Sequence, residues 1–247
     1  MSRIVLVLFF LAAVDLAVAQ RVDLFEGAIH FRVSDRQPGT PSERTYSIFT
    51  ATDRIWLESS HSHRVLAGLD ADRFLARGSQ SDFTFLNRKN EALQLTREEL
   101  EGMAGFLQQM RGRSDRVPFD WEDRLEETGR SRTIQGYQTE EFRVRSEEPG
   151  KVVSVWLSDE IRIDWGLLQE VWHQSLSTLI QTELPMELFM NRNSFPLLIE
   201  YVEGEEMVTR VEAVLVQKRT LPASQFELPD GIRKIGLGDV MTRMFMR

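Results

Sequence analysis

Val22–Val33 reads VDLFEGAIHFRV. Phe25, Ile29, Phe31 and Val33 occupy odd positions, with His30 and Arg32 between them. An apolar–polar period of two predicts a half-buried strand, because successive side chains leave opposite faces of the pleat. The pattern returns in RTYSIFTA, DRIWLESS, RVLAGL and ADRFLAR. In SDFTFLNRKNEALQLT, Phe83 and Phe85 precede a polar Asn-Arg-Lys-Asn tip, and Leu93 and Leu95 follow it. That is a hairpin with a four-residue loop. RTIQGYQTEEFRVRS and KVVSVWLSD, joined by Glu147-Glu148-Pro149-Gly150, continue the strand pattern. FPLLIEYVEGEEMVTRVEAVLVQKRTL reads as two strands around Glu203-Gly204-Glu205.

Two segments change period. Thr96-Arg97-Glu98-Glu99 fits a capping box, and behind it Leu100, Met103, Ala104, Leu107 and Met110 recur at helical spacing. A second helix is expected from Asp164 to about Gln181, with Leu167, Leu168, Val171, Leu176, Leu179 and Ile180 on its apolar side. Each stripe needs a surface to cover, and the sheet supplies one. RVPFDWEDRLEETGRS lacks periodicity and is expected to be an edge loop. In LPASQFELPDGIRKI (Leu221–Ile235), Pro229, Asp230 and Gly231 carry turn chemistry, and Phe226 is an apolar plug. That stretch is expected to latch the sheet.

The chain begins MSRIVLVLFFLAAVDLAVA. Arg3, the apolar run Ile4–Val14 and the small residues Ala17-Val18-Ala19 have the layout of a cleaved signal peptide over residues 1–19. The run is too short for a membrane span, which needs ~20 residues. The expected organisation is residues 1–19 as signal peptide, 20–237 as one β-rich domain, and 238–247 as a short Met-rich tail. An exported periplasmic protein follows, without a transmembrane segment after cleavage. There is no cysteine, so no thiol carries a lipid anchor and no disulfide staples the fold. A hydrophobic core must hold it. The 30 basic residues against 38 acidic give a net charge of −8, and the basic ones are scattered singly. No basic face for nucleic acid is therefore expected.

Residues with catalytic or metal-binding chemistry are sparse. His61-Ser62-His63 could aim two imidazoles at one ion, but no cysteine or acid pattern completes a zinc set, so a polar bend is expected. Asp70-Ala71-Asp72 lacks the glycine and distal glutamate of a calcium loop and reads as a turn. No Gly-x-Ser-x-Gly elbow or phosphate-cradling glycine loop occurs. Ser131 or Ser154 would need a histidine delivered by the fold. The paired acids at Glu140-Glu141, Glu147-Glu148 and Glu205-Glu206 are expected to be solvated.

Four segments together resemble a bacterial exported family of unknown function. Phe25, Gly27, Ile29 and Phe31 match its F-x-G-x-I-x-F strand. GRSRTIQGY matches its Gly-x-x-x-x-Ile-x-Gly-Tyr segment, Val155-Trp156-Leu157 its following hairpin partner, and Phe226, Pro229 and Gly231 its closing turn. That family is similar to the periplasmic lipoprotein-localisation and outer-membrane lipoprotein-sorting proteins. The resemblance implies an unclosed, curved antiparallel β-barrel with helices on its concave side, where such carriers hold acyl chains.

The expectation is a mainly β, α+β protein: a curved, unclosed barrel with about two helices covering the concave side. Ile29, Phe31, Phe83, Phe85 and Val155 are expected to line that side. The protein is expected to work by binding and not as an enzyme, with no cofactor and no metal. Its expected partner is a lipid or lipoprotein acyl chain; the alternative is an interaction module for another envelope protein.

Overall fold

The computed structural model describes residues 24–36, 43–66, 69–102, 125–145, 150–166, 194–204 and 206–245. These contain twelve strands: β1 (Gly27–Asp35), β2 (Glu43–Ala51), β3 (Arg54–Leu66), β4 (Leu69–Arg77), β5 (Asp82–Leu86), β6 (Glu91–Thr96), β7 (Leu125–Ile134), β8 (Tyr137–Arg145), β9 (Lys151–Ser158), β10 (Phe195–Glu203), β11 (Glu206–Lys218) and β12 (Arg233–Ile235). All join one sheet in the order β12-β6-β5-β4-β3-β2-β1-β11-β10-β9-β8-β7. Two meanders therefore meet at the β1–β11 seam, where Phe31 pairs with Ala213 and Val33 with Val211. Every pairing is antiparallel except β12 on β6. The protein is mainly β, and its large curved sheet is not closed into a barrel.

The period of two becomes a division of faces. Ile29 lies opposite Ile48, Ile48 opposite Leu57, Leu57 opposite Phe74, Phe74 opposite Phe85 and Phe85 opposite Leu93. Across the seam, Val211 faces Ile199, and Ile199 faces Val155. These residues form or pack against one apolar cluster on the inner face. Trp165 and Phe195 stack at 6.4 Å within it, and Leu100 and Val240 add helical side chains.

A smaller cluster occupies the outer face. Trp56, Leu75, Leu86 and Ala92 are covered there by Leu221 and Phe226, with Leu228 and Ile232 at the margin. After β11 the chain turns through a 3-10 turn at Ala223–Phe226, crosses this face, and reverses at Gly231, whose φ is +75°. It then adds β12 in parallel along Glu91–Leu93 of β6. Phe226 is buried as expected of a plug, and the latch straps the outside of the sheet.

Local signals held where the chemistry is local. The β5–β6 loop is Asn87–Asn90: the Asn87 Oδ1 accepts from the N–H of Lys89 (2.9 Å) and of Glu91 (3.0 Å), and Asn90 takes φ +57°. The capping box forms: Thr96 N–H donates to Glu99 Oε2 at 2.8 Å, and Glu99 N–H to Thr96 Oγ1 at 3.2 Å. The helix it starts is seen over residues 97–102. A helix also spans Leu237–Phe245. The rest of the first expected helix, nearly all of the helix expected over Asp164–Gln181, and the leader lie outside the described residues.

Four local expectations are corrected. Residues 125–131, expected in a loop, belong to β7 at the sheet's edge. Both its faces are largely wet, so no apolar alternation marks it. RTIQGYQTEEFRVRS is split by a two-residue hairpin turn at Gln135-Gly136, both with positive φ. His61-Ser62-His63 is no bend between strands but part of β3, and Asp70-Ala71-Asp72 lies within β4. In each case pairing with the neighbouring strand of a hairpin decided the conformation.

Candidate functional site

Ile29, Phe31, Phe83, Phe85 and Val155 all fall on the inner face in one cluster, each no more than 1% exposed. Phe74 packs on both phenylalanines of β5, at 5.0 Å from Phe85 and 6.1 Å from Phe83, and Phe31 meets Phe195 at 6.1 Å. A chamber of about 60 Å³ opens beside Ile55, Ala76 and Trp165, rimmed by Asp53, Gly78, Asp164 and Gly166. That is far below the ~300–1,000 Å³ of ordinary ligand pockets, so this chamber is too small for an acyl chain.

Polar chemistry enters the inner face at the far end of β2 and β3. Tyr46 lies opposite both Phe31 and Ser59, and His63 lies opposite Ala71. Between Glu58 and His63 the β3–β4 register slips, so that residues 59–62 stand against Asp72 alone. The bulge bends β3 locally and brings His63 Nε2 to 2.9 Å from Ser59 Oγ. Tyr46 Oη lies 3.3 Å from the same nitrogen, and its ring stacks on the imidazole at 5.6 Å. The His61 N–H donates to Ser59 Oγ at 3.1 Å. Sequence reasoning missed Ser59. A serine four residues before a histidine has no significance on a regular strand, and nothing local announces the bulge.

The other candidates are dispersed. His61 Nδ1 meets Ser60 Oγ at 2.9 Å, and His30 Nδ1 meets Ser47 Oγ at 2.8 Å on the outer face. His61 and His63 thus face separate serines, and among the described residues no group of three potential metal ligands forms. His173 lies outside the described residues. Ser131 is exposed on β7, and Ser154 donates to the Glu141 Oε1 at 2.7 Å, a carboxylate in place of the histidine a nucleophile would need.

Glu141, expected to be solvated, is buried on the outer face between β7 and β9. Burial raises the pKa of its carboxyl, but hydrogen bonds from Ser154, Thr128 and Arg130 outweigh this and hold it below the ordinary value. Beside it, the Arg132 guanidinium lies 3.9 Å over the Trp156 ring. Burial lowers the Arg132 pKa despite the attraction of Glu200 and Glu212. This network of one carboxylate, two hydroxyls and a guanidinium reads as the glue of the β7–β9 edge.

Fold and site together define an open, antiparallel β-sheet protein with an apolar inner face and a tyrosine–serine–histidine cluster at its rim. The chain belongs to the family described as Domain of unknown function (DUF4412), whose model matches residues 76–232. No curated protein matches it. Two crystal structures of PNGF-II, in C2 and P21 space groups, are similar at 13% identity, with TM-scores of 0.40 and 0.39. Each match covers 88% of this chain and 32% or 33% of the other, so the chain spans about a third of those proteins.

Proposed function

We infer that the protein is an exported binding protein of the bacterial envelope that takes an apolar ligand, such as a lipid acyl chain, against its inner face. The observation carrying this reading is the apolar layer that runs unbroken from Ile235 on β12 to Val144 on β8 in a sheet left open. Such a layer in an unclosed sheet gives a chain-like ligand a surface of the right chemistry. Ile29, Phe31, Phe83, Phe85 and Val155 form its floor. The signal-like leader in residues 1–19 supports a periplasmic location. The resemblance to lipoprotein carriers supports the ligand class.

Native mass spectrometry of protein purified from envelope extract tests this. A bound mass in the lipid range is expected, and after delipidation, saturable uptake of a fluorescent fatty-acid analogue. A ligand-free mass together with no uptake refutes the reading. A second reading, strand addition by another envelope protein, is favoured by β7, which forms one end of the sheet with Glu126, Glu127 and Arg130–Ser131 exposed. It ranks lower because β7 carries charges and a bulge with Gly129 at φ +70°, devices that discourage edge pairing.

A further inference from the structure

Binding leaves the Tyr46–Ser59–His63 cluster without a role. We propose that Ser59 is a nucleophile, with His63 as its general base, and that the protein accepts acyl groups from esters with an apolar acyl part. This goes beyond the binding reading and does not rest on it.

Three features of the geometry carry the proposal. A serine hydroxyl is a weak nucleophile until a base takes its proton, and His63 Nε2 stands at 2.9 Å from Ser59 Oγ, within the range for that transfer. With the ring proton on Nδ1, the Nε2 lone pair faces the serine and can take its proton. The His61 N–H, 3.1 Å from Ser59 Oγ, favours negative charge on that oxygen as the proton leaves. Tyr46, 7% exposed and stacked on the imidazole, fixes the ring plane. The bulge that builds this arrangement departs from regular β3–β4 pairing, and such bulges re-aim side chains beside active sites. His30 and Ser47 offer the contrast: their contact uses Nδ1, lies on the outer face, and arises between directly paired residues of the unbroken β1–β2 ladder.

The substrate class follows from the neighbours. Tyr46, Ala71 and Phe74 share the inner face with the cluster, so the acyl side of a substrate meets apolar surface. In the acylation step, Ser59 Oγ bonds to the carbonyl carbon while its proton passes to His63 Nε2. The tetrahedral centre then expels the alcohol, which takes that proton from His63 as the carbon–oxygen bond breaks. A water molecule, activated by the same nitrogen, repeats the sequence and frees Ser59. No oxidant, metal or further reactant is required.

The test is covalent labelling of the purified full chain with a tagged alkyl fluorophosphonate, followed by peptide mapping. One label per chain on Ser59 is expected. Ser59→Ala should abolish it, and His63→Gln should slow it by about 100-fold or more, the usual share of a general base. Ser47→Ala, on the outer face beside His30, should label at the wild-type rate. An unlabelled wild-type protein alongside a fully labelled serine-hydrolase control overturns the proposal, as does label on another serine. The wild-type result decides the matter even where a variant fails to fold. Because the probe needs no bound lipid, a failed lipid assay leaves this result independent.

Discussion

Gly27 is the position where one added carbon should do the most damage for its size. It opens β1 at φ +151°, a region that L side chains rarely adopt, and pairs with Lys218 across the seam and Thr50 on the other side. A Cβ built there would lie 1.9 Å from the Gln217 carbonyl oxygen and 3.2 Å from the Arg219 nitrogen. Carbon and oxygen ordinarily meet at ~3.3 Å, so the strands must part by about 1.4 Å where the two meanders join. Gly27→Ala then costs ~1–3 kcal/mol of backbone strain and one or two seam hydrogen bonds at ~0.5–1.5 kcal/mol each, about 1.5–6 kcal/mol together. That is a large share of the ~5–15 kcal/mol that stabilises a domain. Urea unfolding followed by tryptophan fluorescence would show a lower midpoint. Gly102→Ala is the control: nothing lies within 4 Å of its added Cβ, and the residue is helical, so it should be neutral or stabilise by up to ~1 kcal/mol. A Gly27→Ala protein within ~0.5 kcal/mol of wild type, inside the scatter of ordinary surface substitutions, would refute the close approach at the seam.

Phe226→Ala should cost ~3–5 kcal/mol, because its ring is the largest side chain the strap sets against Trp56, Leu75, Leu86 and Ala92. A red shift of Trp56 emission should accompany it, and a loss under ~1 kcal/mol would mean that the strap does not depend on the plug. Glu141→Gln should lower stability at neutral pH by ~1.5–3 kcal/mol, since the buried carboxylate accepts from Ser154, Thr128 and Arg130. The folded-state pKa of Glu141 is depressed, so its contribution is complete above the unfolded value of ~4.3 and disappears as pH falls through the folded value. Wild type should therefore lose stability in acid more steeply than Glu141→Gln; parallel pH profiles would contradict the assigned network.

Much of the architecture is local enough to read from residue order. The odd-position residues of β1, Phe83 and Phe85 against Leu93 and Leu95, and Thr96 with Glu99 each involve partners within a few residues or one hairpin. β7 escaped because a strand wet on both faces leaves no alternation, and its identity depends on β8. Glu141 escaped because a carboxylate is buried only where partners converge, and Thr128, Arg130 and Ser154 come from two other strands.

By itself the sequence determined the alternating faces, the helix cap and the turn chemistry at Gly204 and Gly231, since these depend on torsional preference and the burial of neighbouring side chains. Only the tertiary structure decided that β1 seals to β11, that the Phe226 strap lies on the outer face, and that Ser59 meets His63. Register between distant strands is set by packing summed over the whole sheet. A slip of a few residues in one pairing, as in β3 against β4, places side chains together that no local pattern foretells.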